Sequence, residues 1–391
     1  MPAPGQTVPV SDQHVHLDPD LADLPLVDHH CHGLVRRDLE RPEFEAMLTE
    51  AAGPGPLGGS LFDSQIGFAV RRWCAPVLDL PAHAPAEEYL ARRAELGADE
   101  VNRRLMAATG TQTFLVDTGY LPEPITTPTE LAALAGGQAR EIVRLEALAE
   151  EVLAEGGSAA GFAELFRTRL ASRTEHAAGV KSIAAYRVGL ALEGARPSDA
   201  EVALAAASVL TEVAAGGRPR IADPVLHRFL VWSGIDLRLP VQFHVGYGDA
   251  DVDLHRCDPL LLTDLLRATE PAGVPVTLLH NYPFHRNAGF LAQVFGHVFV
   301  DVGLATHNLG HRSGALQREL LELAPFGKVL FSSDAFGLAE LYLLGTGLFR
   351  RGLGRYLAEG VAEDAWTASD AARVAAMIGA GNARRAYRLD A

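Results

Sequence analysis

"PVTLLHNYPFHRNAGFLAQVFGHVFVDVG", residues 275–303, holds three kinds of local signal in twenty-nine residues. The run 275–281 is apolar and β-rich, 287–296 has helical spacing, and 297–303 is β-rich again. Strand, helix, strand in that order predicts a parallel pair. Working outward, the same alternation recurs. Candidate strands are 25–32, 111–119, 140–146, 179–186, 240–246, 275–281, 297–303 and 328–334, with helical segments at 198–215, 258–270, 287–296 and 313–324. Eight β/α units in one chain favour a closed barrel over an open sheet, so the predicted fold is an α/β (β/α)8 TIM barrel, a single domain over 1–391.

Residues from about 36 to 110 break this rhythm. A Gly/Pro-rich patch, "AAGPGPLGGS" (51–60), precedes "FDSQIGFAVRRW" (62–73) and "AEEYLARRAELGADEVNRRLMAA" (86–108), both of which read as helices. This is a helical insertion after strand 1. Loops that follow barrel strands face the active site, so the insertion is either a lid or substrate wall, or a helical layer serving stability or oligomer contact. A further helical extension is expected over 147–178.

Composition excludes several classes of function. The 391 residues are 48% apolar and 21% charged, ordinary for a packed enzyme, and 49 acidic against 34 basic residues give a formal charge of -15. Such a surface argues against nucleic acid and against anionic membranes, and points to a small-molecule substrate. No apolar run reaches the roughly 18 residues of a membrane span, and the N-terminus lacks signal-peptide features, so a cytoplasmic protein is expected. Cys31, Cys74 and Cys257 are too few and scattered for a disulfide frame. A homo-oligomer is allowed but not specified. Only two of the 34 basic residues, Lys181 and Lys328, are lysine. In a chain that avoids lysine, one that persists can do what a guanidinium cannot.

Histidines and carboxylates gather at the carboxyl ends of the candidate strands: His30 and His32 on strand 1, His244 on strand 5, His280 on strand 6 and Asp334 on strand 8, with Lys181 near the start of strand 4. Residues two apart on a strand share a face, so His30 and His32 look one way while His29 and Cys31 look the other. Taken singly, each is an ordinary core, capping or flanking residue. Their conjunction at strand ends is what carries the functional signal. A second Asp-x-His-x-His frame holds His14 and His16, but "DQHVHLDPDLAD" is polar and cut by Pro19, and suits an N-terminal arm better than a buried strand.

The order "DHHCH", "VKS", "QFH", "LLH", "SSD" resembles the amidohydrolase superfamily of metal-dependent (β/α)8 barrels. Through "LVDHHCHG" (26–33), "GVKSIAAYRVGL" (179–190) and "GNARRAYRL" (381–389) it is most similar to amidohydrolase family 2, in the branch of nodulin-like domains fused to glutamine synthetase, distantly similar to uronate isomerases. The resemblance covers about 24 to 389. It implies that His30, His32 and Asp334 bind one metal, that His244 and His280 bind a second, and that Lys181 bridges both as a carbamate formed with carbon dioxide. Zinc is the first expectation, one ion or two, with manganese or iron as alternatives.

Metal-bound hydroxide would then attack a carbonyl, with Asp334 as the catalytic group that takes the proton and delivers it to the leaving nitrogen. Asp28, on the face of His30, is a partner for the ligand shell. Arg187, Tyr186, Arg286, His307 and Trp73 are candidate substrate contacts, with Arg71 and Arg72 beside Trp73; arginine at a barrel mouth can clamp a carboxylate. The expected reaction is hydrolysis of a C–N amide bond in a carboxylate-bearing substrate, of γ-glutamyl amide or N-acyl amino acid type. Alternatives on the same site are uronate isomerase-like isomerisation or non-oxidative decarboxylation, and a non-catalytic barrel scaffold.

Overall fold

Among the described residues the chain runs as seven parallel strands in strict sequential order, with helices filling the connections. The structure is a computed structural model that describes residues 21–53, 55 and 57–390, so His14 and His16 lie outside the described residues. The strands are β1 (Leu26–Cys31), β2 (Thr111–Asp117), β3 (Gln138–Arg144), β4 (Gly179–Ser182), β5 (Val241–Val245), β6 (Val276–His280) and β7 (Val298–Val300). Every residue of β1, β5 and β6 is buried, as expected of parallel strands covered on both faces. The sheet curls, and Val27 of β1, Leu115 of β2, Ile142 of β3 and Phe299 of β7 meet in one apolar cluster, joined by Ala383 and Tyr387 of the C-terminal helix Asn382–Tyr387.

Two strand predictions need correction. The segment 328–334 is not a regular strand: its sole ladder contact is the parallel bridge Val300–Val329. It nevertheless bonds to both edges of the sheet. Leu330 N–H donates to Val300 of β7, while His29 and Asp334 N–H groups link it to β1 through Phe331 and His30 carbonyls. The ladder fails because the Ser333 N–H is taken by the Asp28 carboxylate and Asp334 adopts φ +52°. Strand β4 stops at Ser182 rather than 186. There the buried Glu146 carboxylate accepts from Ser182 Oγ (2.6 Å) and Ile183 N (3.0 Å), and the chain turns into the short helix Ala184–Arg187.

Between β1 and β2 the chain is helical, including Arg41–Ala46, Gln65–Ala69, Ala86–Leu96 and Ala98–Thr109. The last two are separated at Gly97, whose φ +76° and ψ 155° suit glycine alone. Phe44, Phe62, Tyr89, Leu105 and Met106 of this region pack with Leu338, Tyr342 and Leu348 in a second apolar cluster. A buried ion pair fixes the join: Glu340 accepts from Arg93 Nε at 2.6 Å and Tyr89 Oη at 2.7 Å. All three cysteines are buried and unpaired. Among the described residues, no helix is long and apolar enough to cross a membrane.

Candidate metal centre

At the carboxyl ends of the strands the chain encloses a cavity of about 620 Å³. Its floor is built by five backbone segments: β1, β4, β5, β6 and 328–334. His30 Nε2 lies 3.0 Å and His32 Nε2 3.4 Å from Asp334 Oδ1, and His280 Nδ1 lies 3.3 Å from Asp334 Oδ2. The ligand-type atoms of His30, His32 and Asp334 all fall within 4.8 Å of one another. His244 packs on His280, ring centroids 4.6 Å apart. Lys181 Nζ sits 2.8 Å from His30 Nε2 and 3.5 Å from Asp117 Oδ2. The six side chains that the sequence singled out as ligands therefore gather in one place.

Electrostatics keep this floor in a ligand-ready state. Burial lowers His30 to about 4, helped by Lys181, and His244 to about 3; burial likewise takes His280 well below its ordinary value. Neutral imidazoles have free lone pairs at physiological pH. Burial alone would raise Asp334, but its interactions with His280, His30 and His32 outweigh it and hold the carboxyl well below the usual range. His32 Nδ1 lies 3.2 Å from the Asp117 carbonyl, which can accept its proton and leave Nε2 facing Asp334.

A metal ion fits these residues. His244 Nε2 and both ring nitrogens of His280 are buried without a hydrogen-bond partner, a costly condition unless a ligand completes them. Two imidazoles and a carboxylate whose ligand atoms lie within 4.8 Å of one another are a nitrogen and oxygen donor set suited to zinc and its neighbours.

Three of the five predicted substrate contacts line the cavity. Tyr186 stacks on His244 with centroids 4.5 Å apart. His307 is buried with both ring nitrogens unpartnered, and burial lowers it to about 4. Arg187 holds Glu150 at 3.4 Å through Nη2, while its Nε and Nη1 have no partner. The other two lie elsewhere. Arg286 does not reach the cavity; it is exposed and bonded to Glu322 at 2.9 Å, because the helix His285–Val294 turns it outward. Trp73 and Arg72 line a separate cleft, and Arg71 is bonded to the Ala84 and His83 carbonyls. Asp28, within β1, is bound to Ser333 N and Oγ; burial raises it to about 7 against those bonds.

Several groups were missed. Asp117 ends β2 and Arg144 ends β3, joined at 2.6 Å, with Arg144 on the cavity wall. Both stand at carboxyl ends of predicted strands, so the rule that found His244 could have found them. Glu50, Asp249 and Arg220 reach the cavity from loops with no sequence signal. Burial, Asp334 and Asp249 raise Glu50 to about 7.

No family model matches the chain. A protein of Lactobacillus casei described as a "putative metal-dependent hydrolase" has a crystal structure that superposes with a TM-score of 0.82, at 31% identity over 95% of this chain and 96% of that one. Protein fluG of Emericella nidulans is 26% identical over 94% of this chain, which spans 46% of that protein's length. The uronate isomerase of Thermotoga maritima shares the fold at 12% identity, with a TM-score of 0.62 over 94% of this chain and 95% of that one. By 31% identity over nearly the whole of both chains, this protein belongs to the family of the Lactobacillus casei protein.

Proposed function

We propose that the protein is a metal-dependent hydrolase that cleaves the C–N bond of an amide in a small carboxylated substrate. The barrel is then an eightfold β/α one, with 328–334 in the eighth position and the helices of about 36–110 as an insertion over its mouth. The observation that carries the reading is the convergence of His30, His32 and Asp334 at a cavity lined by His32, Asp334 and Arg187, two of whose buried guanidinium nitrogens lack a partner.

When bound, a divalent ion, zinc as the first choice, supplies Lewis acidity for the carbonyl and activates water for attack. The chain's residues supply the rest. His30 and His32 donate lone pairs from one face of β1, and the Asp117 carbonyl orients His32. Asp334 is kept ionised, so Oδ2, on the His280 side, can take the proton from the attacking water and pass it to the leaving nitrogen. Arg187 binds the substrate carboxylate as a charge-assisted pair, and His307 and Tyr186 contact the amide and its acyl body.

A second ion would sit on His244 and His280 with Lys181 as a bridging carbamate. Burial lowers the Lys181 ammonium toward the neutral amine, the form that reacts with carbon dioxide, and the charge of Arg144 lowers it further. Metal analysis with and without added bicarbonate separates the two arrangements: two ions per chain support the bridge, one ion refutes it. For the reaction itself, N-acyl amino acids and γ-glutamyl amides should release free amine, with uronates as the competing arm. Turnover of uronates with no amide cleaved would replace hydrolysis by isomerisation.

A further inference from the structure

A second cleft, of about 290 Å³, lies on the outer side of the helix Ala339–Ala362. Its walls come from the helical stretch 65–74, the turn 310–314 and that long helix. The turn reaches the first wall because Gly310, at φ +47°, lies against the Gln65 carbonyl, where a Cβ would approach to 2.6 Å. In a chain of net charge -15, the lining holds three arginines, Arg72, Arg351 and Arg355, and two histidines, His83 and His311, but no aspartate or glutamate.

These guanidinium groups are uncompensated. Elsewhere in the same helical region Arg36, Arg41, Arg92 and Arg104 each hold a carboxylate. Arg72 and Arg351 have none among the described residues; they lie against the ring of Trp73, at 5.2 and 5.6 Å from its centroid. Arg355 is exposed and has no partner at all among the described residues. Each guanidinium is held against the same indole, so little side-chain freedom is lost when an anion arrives. Trp73 and Phe68 add an apolar wall.

We infer that this cleft is a binding site for a small phosphoryl dianion, distinct from the metal centre. The concave shape and volume suit a small molecule rather than a flat protein partner, and several guanidinium groups without acids suit more than one negative charge. Phosphate itself and a phosphate monoester share this chemistry, and they are separated by comparing inorganic phosphate with phenyl phosphate: tighter phenyl phosphate assigns the aromatic wall to an ester, equal affinities assign the site to phosphate.

Calorimetric titration of the metal-loaded protein tests the site. Phenyl phosphate should bind saturably, with affinity that falls as salt is raised. The Arg351→Gln/Arg355→Gln double variant should bind at least about tenfold more weakly, as loss of charge-assisted bonds requires. Arg355→Glu, at an exposed side chain whose loss leaves no buried group unpaired, should weaken binding without disturbing the fold. Asp334→Asn should bind as the unaltered protein does. Absence of saturable binding overturns the inference, as does affinity that survives both arginine changes. A signal that vanishes in Asp334→Asn places the ligand in the main cavity and overturns it as well.

Discussion

His29 and His30 are consecutive residues of β1, both completely buried, and their surroundings are opposites. His29 is satisfied on every side: Nε2 pairs with Asp301 at 2.7 Å and Nδ1 meets Tyr387 Oη at 3.1 Å. Its carbonyl accepts from Gln242 Nε2, and Asp301 in turn accepts from the His280 and Gly303 N–H groups. His30, on the other face, keeps a buried Nδ1 without a partner and shares Nε2 between Lys181 and Asp334. A buried histidine whose network closes on itself holds the fold. One whose network stays open in the company of other open donors waits for a ligand.

The difference can be broken at four points. The largest effect is expected at Asp334→Asn, which keeps the shape of the floor but removes the proton acceptor: turnover should fall by roughly 10²–10⁴-fold with little change in melting temperature. Steady-state kinetics beside thermal melting checks it, and unimpaired turnover would remove Asp334 from the chemistry.

On the closed side, His29→Ala strands the buried Asp301 charge and should cost about 3–5 kcal/mol of folding stability in urea titrations. His30→Ala, compared in metal-free protein, should cost distinctly less, because it deletes a ring with one nitrogen unpartnered and leaves Asp334 beside His32 and His280. Equal losses would erase the distinction between the two faces.

Acid offers a third handle. His30, His244 and His307 have folded values of about 4, 3 and 4 against an ordinary 6.5, so below pH 6.5 the unfolded chain binds protons that the folded chain refuses. Stability of the metal-free protein should therefore be complete above about pH 6.5 and decline as pH falls toward 4. The slope is up to about 1.4 kcal/mol per pH unit for each imidazole. Urea midpoints that stay constant between pH 7 and 5 would contradict it. The smallest effect is expected at Arg187→Gln, which should raise KM for a carboxylated amide by about tenfold or more and leave neutral amides untouched. Kinetics with a matched acid and ester pair reads that split.

Much of this comparison was legible in the sequence. Period-two reasoning put His29 and His30 on opposite faces, and the alternation of strands and helices located seven strands. The alternation could not foresee that Asp28 and Glu146 would capture backbone donors at Ser333 and Ile183, because those pairings join residues 305 and 37 positions apart. That is why strand 8 lost its ladder and β4 ended early. The same limit explains Trp73 and Arg286: a residue's place in a loop after a strand does not say which way its helix will rotate it. Asp301, Asp117 and Arg144 lie on predicted strands, but strand position alone does not separate a site residue from an ordinary ion pair such as Asp117 and Arg144 make with each other.

Anomalous diffraction from crystals of the protein grown with zinc tests the central claim most directly. The account predicts a metal peak at about 2.0–2.2 Å from His30 Nε2, His32 Nε2 and a carboxylate oxygen of Asp334. A map with zinc bound elsewhere, or with no peak between these three side chains, would contradict it.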